Sequence, residues 1–332
     1  MKFIEPSVEE ITFTEYGKKI EYAGRICYKS QDKIEDSSHI SFINSIAKRG
    51  HLSVIEHEKF SLLVKIRVYT DIKFIFESKE FTNMFFDISF PRNDRDHIVI
   101  TGNIRAWKEL LSQVFENELC VQLTFTKYFG AISNFLHTRY GDLFNIVSLE
   151  HGYKLEDFAC EAKDYWLIEN LSKENVIKHI YKTFHITTDR AVTHQFVRHR
   201  RNSFSQESQR YCNYTIGKFD SSIRFIIPSG FEDAVQLLKE NNAYNLYTTN
   251  YPDIEAIKVF FDACKYSEDA YFKLIDKKIK PEVARSVLPN CTATEIISTA
   301  NIEQWNRFLG LRCDSHAQAD IRKIAEMIKS LI

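Results

Sequence analysis

Apolar residues recur along this chain with two distinct periods. Ile40, Ile43, Ile46 and Ala47 follow a Ser37-Ser38 pair at helical spacing and stop at Gly50, which predicts a helix over 37–49 ending just before His51. From Lys59 the pattern changes: Phe60, Leu62, Val64, Ile66 and Val68 alternate with Ser61, Lys65 and Arg67, a strand with one buried face whose alternation Leu63 breaks. Between about 70 and 180 the text is Phe-rich, with an apolar run from His97 to Thr101 and amphipathic stretches at 104–115 and 121–139. Gly102-Asn103-Ile104-Arg105-Ala106-Trp107 within it reads as a strand-turn-helix junction with Trp107 in a core. A second alternation, Phe184, Ile186, Thr188, leads into Ala191, Val192 and Phe196 on one helical face, so a strand-to-helix unit is expected there. Residues 253–278 predict a long amphipathic helix (Ile254, Ile257, Phe260, Phe261, Cys264), Pro281 opens a shorter one toward Val287, and Pro289 ends it. Ile321, Ile324, Ala325, Ile328 and Leu331 form a core-facing stripe within 314–331.

Composition narrows the function classes. The 332 residues are 44% hydrophobic and carry 44 Lys and Arg against 45 Asp and Glu, which excludes a disordered or generally polyanion-binding chain. Its 26 Phe, 16 Tyr and 3 Trp supply material for a large core. No two glycines stand in a G-x-G arrangement, which removes the dinucleotide fingerprint and the phosphate-binding P-loop. The start lacks a signal-peptide pattern and no segment has the apolar length to span a bilayer, so no membrane partner and a cytoplasmic location are expected. Seven cysteines (27, 120, 160, 212, 264, 291, 313) lie at least 22 residues apart, and His97, His137, His151, His179 and His185 are scattered; reduced thiols and no metal site are expected.

Chemistry concentrates in one stretch. From Arg190 to Arg224 there are seven Lys or Arg and two acids, a local excess that suggests a bound anion, since guanidinium forks with Ser, Gln and loop N–H groups make a phosphate cradle without glycines. A solvated basic loop explains the same composition equally well. His51-Leu52-Ser53-Val54-Ile55-Glu56-His57 places two imidazoles and a carboxylate between a helix and a strand, as a functional loop or as capping. Arg312 and His316 stand at i and i+4, the spacing that would let both face one site.

These residues resemble the flavin-dependent thymidylate synthases. The family signature, R-H-R, seven residues, then Ser, stands here as Arg198-His199-Arg200 and Ser208. Around it, in the family's order, stand Cys27-Tyr28-Lys29-Ser30, Gly50-His51 to Glu56-His57, Ala284-Arg285-Ser286-Val287-Leu288-Pro289, Thr299-Ala300-Asn301 and Leu311-Arg312 to His316. The match covers about 1–66 and 183–332.

The resemblance implies an α/β (α+β) fold, a mixed sheet with flanking helices over 1–332, interrupted by an inserted subdomain at about 67–182. It implies a homotetramer with shared sites, in which dUMP is methylated to dTMP by a carbon from 5,10-methylenetetrahydrofolate while NADPH reduces FAD, the hydride source. By the same resemblance Gln195, Arg198, Gln206, Ser208, Gln209, Arg210, Arg285 and Arg312 would bind dUMP, with Arg312 also catalytic by polarising the uracil ring. His51, Ser53, Glu56, Arg198, His199, Arg200, Gln206, Asn301, Arg307 and His316 would line FAD. Glu303 and Arg307 depart from the residues of some members, which affects the adenosine side of FAD. The alternatives are a relative that transfers a hydroxymethyl group and a nucleic-acid-binding module built on the basic loop; the neutral total charge and the lack of an RNA-reading aromatic signature speak against nucleic acid as a partner.

Overall fold

The computed structural model describes residues 1–77, 86–116, 123–144, 154–215, 219, 221–231 and 254–332. Cys120, His151, residues 121–122 of the stretch at 121–139 and residue 253 of the long helix lie outside the described residues. The chain opens with β1 (Lys2–Ile4), β2 (Ser7–Glu10), α1 (Lys18–Tyr28) and α2 (Ser38–Lys48), then runs through β3 (Lys59–Lys65) into α3 (Ile66–Glu77). Next come β4 (Phe86–Ser89), β5 (His97–Asn103), α4 (Ile104–Glu116), α5 (Leu123–Tyr140), β6 (Ala159–Glu161), α6 (Asp164–Asn170) and α7 (Lys173–His179). The remainder is β7 (Tyr181–Asp189), α8 (Arg190–Phe196), β8 (Ser203–Gln206), β9 (Arg224–Ile226), α9 (Ile254–Asp276), α10 (Pro281–Ala284), β10 (Ala293–Asn301), α11 (Ile302–Arg312) and α12 (Ala319–Lys329).

One antiparallel sheet, in the order β2-β7-β10-β8, carries the basic stretch. Its centre is β10, buried at all nine positions and paired with β7 from Ala293↔Asp189 to Asn301↔Tyr181. Because side chains alternate across a strand, Phe184, Ile186 and Ile296 meet Val192 and Phe196 of α8, Trp305 and Phe308 of α11 and the stripe of α12. Ile297, on the opposite face, packs on Ala23 and Ile26 of α1.

A second antiparallel sheet, in the order β4-β5-β3-β6, contains the strand expected from Lys59. Leu63 breaks the alternation there because both faces are buried: Phe60 and Leu62 pack with Trp107, Leu110 and Leu136, whereas Leu63 and Val99 pack under Leu167 and Leu171. The strand expected to continue through Val68 ends at Lys65, where pairing with His97 ends; Ile66 N donates to the Asp96 carbonyl (2.7 Å) and the chain turns into α3. Strand β3 thus pairs with β5 and β6, both of which lie within the 67–182 stretch. Trp107 is buried in the junction read at 102–107, its Nε1 donating to the Phe60 carbonyl (3.0 Å). A short parallel pair, β1 with β9, backs a third core with Cys264 and Tyr271 of α9 and Ala284 of α10.

Two buried histidines tie strands together. The nitrogens of His57 bond to Thr299 Oγ1 of β10 and Ser205 Oγ of β8, both at 2.9 Å, and those of His179 to Thr101 Oγ1 of β5 (2.7 Å) and Ser89 Oγ of β4 (2.8 Å). Burial, with nearby lysines, holds both imidazoles down at about 3, so both are neutral. Glu58 goes the other way: burial lifts its carboxyl to about 7, although Lys19 and hydrogen bonds from Gly17 N (2.8 Å) and Tyr140 Oη (3.2 Å) oppose the rise.

These shifts set the acid response. As pH falls from 6.5 toward 3 the unfolded chain takes up protons that the folded histidines refuse, so their stabilising contribution is lost, at about 1.4 kcal/mol per pH unit for each ring. Glu58 acts oppositely between pH 7 and 4.5, where the folded state binds the proton, but it is one group against two. The urea midpoint is expected to hold above about pH 7 and to fall below about pH 6.5, less steeply in His179→Gln. A midpoint that rises on acidification through that window would contradict this reading.

Candidate functional site

Asp189 caps α8, its Oδ1 accepting from Val192 N (2.7 Å), and so fixes the helix that delivers Gln195 and the arginine-rich turn. Beyond Phe196 the backbone tightens, with His199 N on the Phe196 carbonyl (3.2 Å) and Asn202 N on the His199 carbonyl (3.0 Å). Arg198 and Arg200 face solvent, whereas His199 turns inward, its ring 4.8 Å from that of Phe308. There Arg312, the last residue of α11, donates from Nε to His199 Nε2 (3.1 Å) and from Nη2 to the Gln195 carbonyl (3.4 Å). Burial and the Arg312 charge push the His199 imidazole below its ordinary value, so it accepts from Arg312 as a neutral ring. Gln195 Nε2 in turn donates to Gln318 Oε1.

The expectation that His316 joins Arg312 is not met. Helix α11 ends at Arg312, so the i, i+4 spacing no longer describes one face; Asp314 Oδ1 accepts from both N and Nδ1 of His316 (2.8 Å each) and leaves its side chain 94% exposed. Arg307 is likewise on the surface, beside Glu303 at 3.7 Å.

Strand β8 delivers the second group of residues. Gln206 is pinned to Thr193 Oγ1 (3.0 Å) and Thr294 Oγ1 (3.3 Å), Glu207 N bonds to the Glu295 carbonyl (2.8 Å), and Ser208 N to the Cys27 carbonyl (3.0 Å). The Ser208 carbonyl accepts from Tyr211 N (3.1 Å) and Cys212 N (2.9 Å), which closes a turn. Arg210 and Arg285 flank Glu282: Arg210 Nε lies 4.0 Å from its Oε2, and Arg285 Nε donates to its carbonyl (3.2 Å). Gln209 is buried with no partner for Nε2 among the described residues. Arg190, which sequence reasoning counted only as part of the local charge, donates from Nη2 to the Glu207 carbonyl (3.1 Å), while its buried Nε has no partner among the described residues. Burial lowers the affinity of Arg190 for its proton, with Arg285 adding to the effect and Tyr214 and Glu207 opposing it.

Two features explain why this turn holds its shape. Lys29 pairs with Glu295 and lies 3.6 Å from Glu207, while Arg224 bonds to Glu295 at 2.9 Å and His185 Nε2 at 3.0 Å. Burial would raise the Glu295 carboxyl, but the bonds from His185, Lys29 and Arg224 hold it well below the usual carboxylate range. Tyr28 reaches the other way, with Oη 3.2 Å from His51 Nδ1 and its ring 5.2 Å from that of Tyr211, which brings exposed His51 toward the turn.

On the remaining side Ser203 Oγ donates to the Glu56 carbonyl (3.4 Å), Glu56 Oε1 accepts from Arg105 Nη1 (2.7 Å), and Ser53 is exposed. Asn301 caps α11, its Oδ1 accepting from Gln304 N (2.9 Å), and its Nδ2 donates to Asp87 Oδ2 (3.2 Å) and the Lys178 carbonyl (3.0 Å). Among the described residues no group of His, Cys, Asp or Glu is placed to hold a metal ion, and no helix is long and apolar enough to cross a membrane.

Within this mixed α/β construction Arg312, paired with a neutral imidazole, stands beside a turn that gathers cationic and amide donors. Comparison with known proteins gives the chain a family. The family described as thymidylate synthase complementing protein matches residues 11–71 and 145–332. A flavin-dependent thymidylate synthase from Pseudothermotoga lettingae is 33% identical over 201 residues, 58% of this chain and 82% of that protein. Proteins of the same name from Mycolicibacterium vanbaalenii (30% over 175 residues) and Geobacter sulfurreducens (35% over 164) align with 48% and 49% of this chain. The chain spans 60% and 61% of the length of those two. It belongs to the flavin-dependent thymidylate synthases, an enzyme family.

Proposed function

We propose that this enzyme methylates dUMP to dTMP, taking the carbon from 5,10-methylenetetrahydrofolate. FAD reduced by NADPH would supply the hydride. The observation that carries the reading is the set of donors around Ser208–Arg210: Gln209 Nε2 and Arg190 Nε are buried without a partner among the described residues, Arg210 lies a loose 4.0 Å from the Glu282 carboxylate, and Arg285 donates to the Glu282 backbone carbonyl. Buried donors without partners are costly unless a ligand completes them, and a doubly charged phosphate does so. Ser208, Gln209, Arg210 and Arg285 would hold the phosphate, Gln195 and Arg198 would contact the nucleotide, and Gln206 would fix the turn through Thr193 and Thr294.

Arg312 would stand over the pyrimidine as a fixed cation, its direction set by His199 and the Gln195 carbonyl, where it favours negative charge on the ring. The cationic run Arg198-His199-Arg200 fits the diphosphate of FAD, with His51, Ser53, Glu56 and Asn301 around it; Arg307 and His316 face outward. Such outward residues, like Arg198 and Arg200, would be completed by other copies in a homotetramer. The free thiols of Cys27, Cys160, Cys212, Cys264, Cys291 and Cys313 support placement in the cytoplasm.

The test is product mass after incubating the FAD-loaded protein with dUMP, NADPH and methylenetetrahydrofolate. dTMP is expected; a hydroxymethyl product, or none, would overturn the methylation reading. Arg210→Ala is expected to weaken equilibrium dUMP binding by about 1.5 to 3 kcal/mol, on the order of tenfold to a hundredfold, as the phosphate loses a charge-assisted partner. An unchanged dUMP affinity would remove Arg210 from the site.

A further inference from the structure

Between the first sheet and the edge strand of the second lies a narrow cleft, its walls including Phe86 and Asp87 of β4, Tyr181 of β7, and Arg201, Ser203 and Asn301. Phe86 and Asp87 belong to residues 72–144, which the family model leaves unmatched, whereas Asn301 is among the residues proposed above to surround FAD. The additional segment therefore forms one wall of the cofactor side of the site.

That wall is rigidly placed. Phe86 pairs with Gly102 across the β4–β5 ladder, and a Cβ on Gly102 would come within 2.5 Å of the Phe86 ring, so the ring lies on bare backbone and also meets the edge of Trp107 at 4.8 Å. Three residues along, Ser89 is held by His179. Asp87 sits between these two anchors, half-buried, and feels the positive charges of Arg201 and Lys178.

The hydrogen-bond inventory shows what Asp87 is equipped to do. Both amide hydrogens of Asn301 are taken, by Asp87 Oδ2 and the Lys178 carbonyl, and its oxygen caps Gln304. Asn301 thus has no donor left for a ligand. An ionised carboxylate accepts at about four positions, yet Oδ1 of Asp87 has no partner among the described residues. A phosphate beside Asp87 would meet like charge, whereas neutral hydroxyl groups can donate to it, and a vicinal diol does so twice. The Phe86 and Tyr181 rings line the same cleft.

We propose that Asp87 is a specificity residue of the flavin site, its free carboxylate oxygen accepting from the ribose hydroxyls in the adenosine half of FAD. The inference rests on the reading above that FAD binds this chain, and adds that the segment outside the family's common core selects the dinucleotide over the mononucleotide FMN. Burial raises the Asp87 carboxyl, the charge of Arg201 opposes that rise, and Asn301 aims the group.

Equilibrium titration of the full chain with FAD and, separately, with FMN, read by flavin fluorescence, tests this in variants whose melting temperature matches that of the wild type. Asp87→Ala is expected to bind FAD about tenfold more weakly or worse, with FMN affinity unchanged, because FMN lacks the adenosine ribose. Asp87→Asn keeps an acceptor for Asn301 but turns an NH₂ toward the ligand, so it is expected to bind FAD as poorly as Asp87→Ala. Restored FAD affinity in Asp87→Asn would reduce Asp87 to a prop for Asn301 and overturn the proposal. So would equal losses for FAD and FMN, or wild-type FAD affinity in both variants. A wild-type protein that binds neither flavin would overturn the synthase reading together with this one, which separates the two failures.

Discussion

Arg312→Ala is expected to lower turnover by roughly 10²- to 10³-fold, the range for loss of one preorganised electrostatic contact, with a much smaller change in dUMP affinity. The geometry gives the reason. Arg312 ends α11, and its guanidinium is held in one orientation by a neutral imidazole and a backbone carbonyl, His199 Nε2 and Gln195 O. Neither partner carries a negative charge, so the cation is oriented without being neutralised, and its field stays available to a ring that gains negative charge in the reaction. Arg312→Lys is expected to recover only part of the rate, because an ammonium cannot keep both contacts with the planar fork. Single-turnover kinetics beside equilibrium dUMP binding makes the comparison; equal losses in rate and affinity would reduce Arg312 to a binding residue.

Trp305→Ala is expected to cost about 3 to 5 kcal/mol of folding free energy, a large share of the stability of an ordinary domain. Trp305 is fully buried at the junction of β7, α8 and α11, with its ring 4.9 Å from Phe184, 5.7 Å from Phe308 and 6.3 Å from Phe196, and with Nε1 donating to the Lys182 carbonyl (3.1 Å). Its loss would open a cavity beneath the two helices that bring Gln195 and Arg312 together, so activity should decline below the temperature at which the protein unfolds. Trp305→Phe is expected to keep most of the packing while leaving the Lys182 carbonyl without that donor. Urea unfolding measures both, and a loss under about 1 kcal/mol in Trp305→Ala would mean that this cluster does not anchor the site.

The elements legible in the sequence are those whose apolar residues share one face. The unit from Phe184 to Phe196, the stripe of α12, the helix after Pro281 and the Trp107 junction fall where the periodicity places them. Strand β10 does not announce itself, because Ala293–Asn301 is buried on both faces yet half polar; its Thr299 hydroxyl answers His57 and Thr183, and Glu295 answers Lys29, Arg224 and His185. Only partners distant in sequence make such residues affordable in a core, and no local pattern reveals them.

The site divides in the same way. The R-H-R turn, Ser208 and Arg312 are legible as motifs, but the contact between Arg312 and His199 spans 113 positions. Arg190 looks like one more residue of a basic run until its burial and unmatched Nε are seen. The opposite error befell His316: a spacing that suits a helix was applied beyond the point where the helix stops. Likewise Ile66 and Val68 continue an alternation that also fits the first turn of α3, and the end of the β5 partner strand decides between the two.

The most direct test of the central claim is the absorbance spectrum of the purified, FAD-loaded protein during anaerobic addition of NADPH, with and without dUMP. Faster bleaching of the flavin band when dUMP is present is the expected result, because it places nucleotide and flavin in one site. A protein that takes up no flavin, or whose flavin is reduced at the same rate with and without dUMP, would contradict the account.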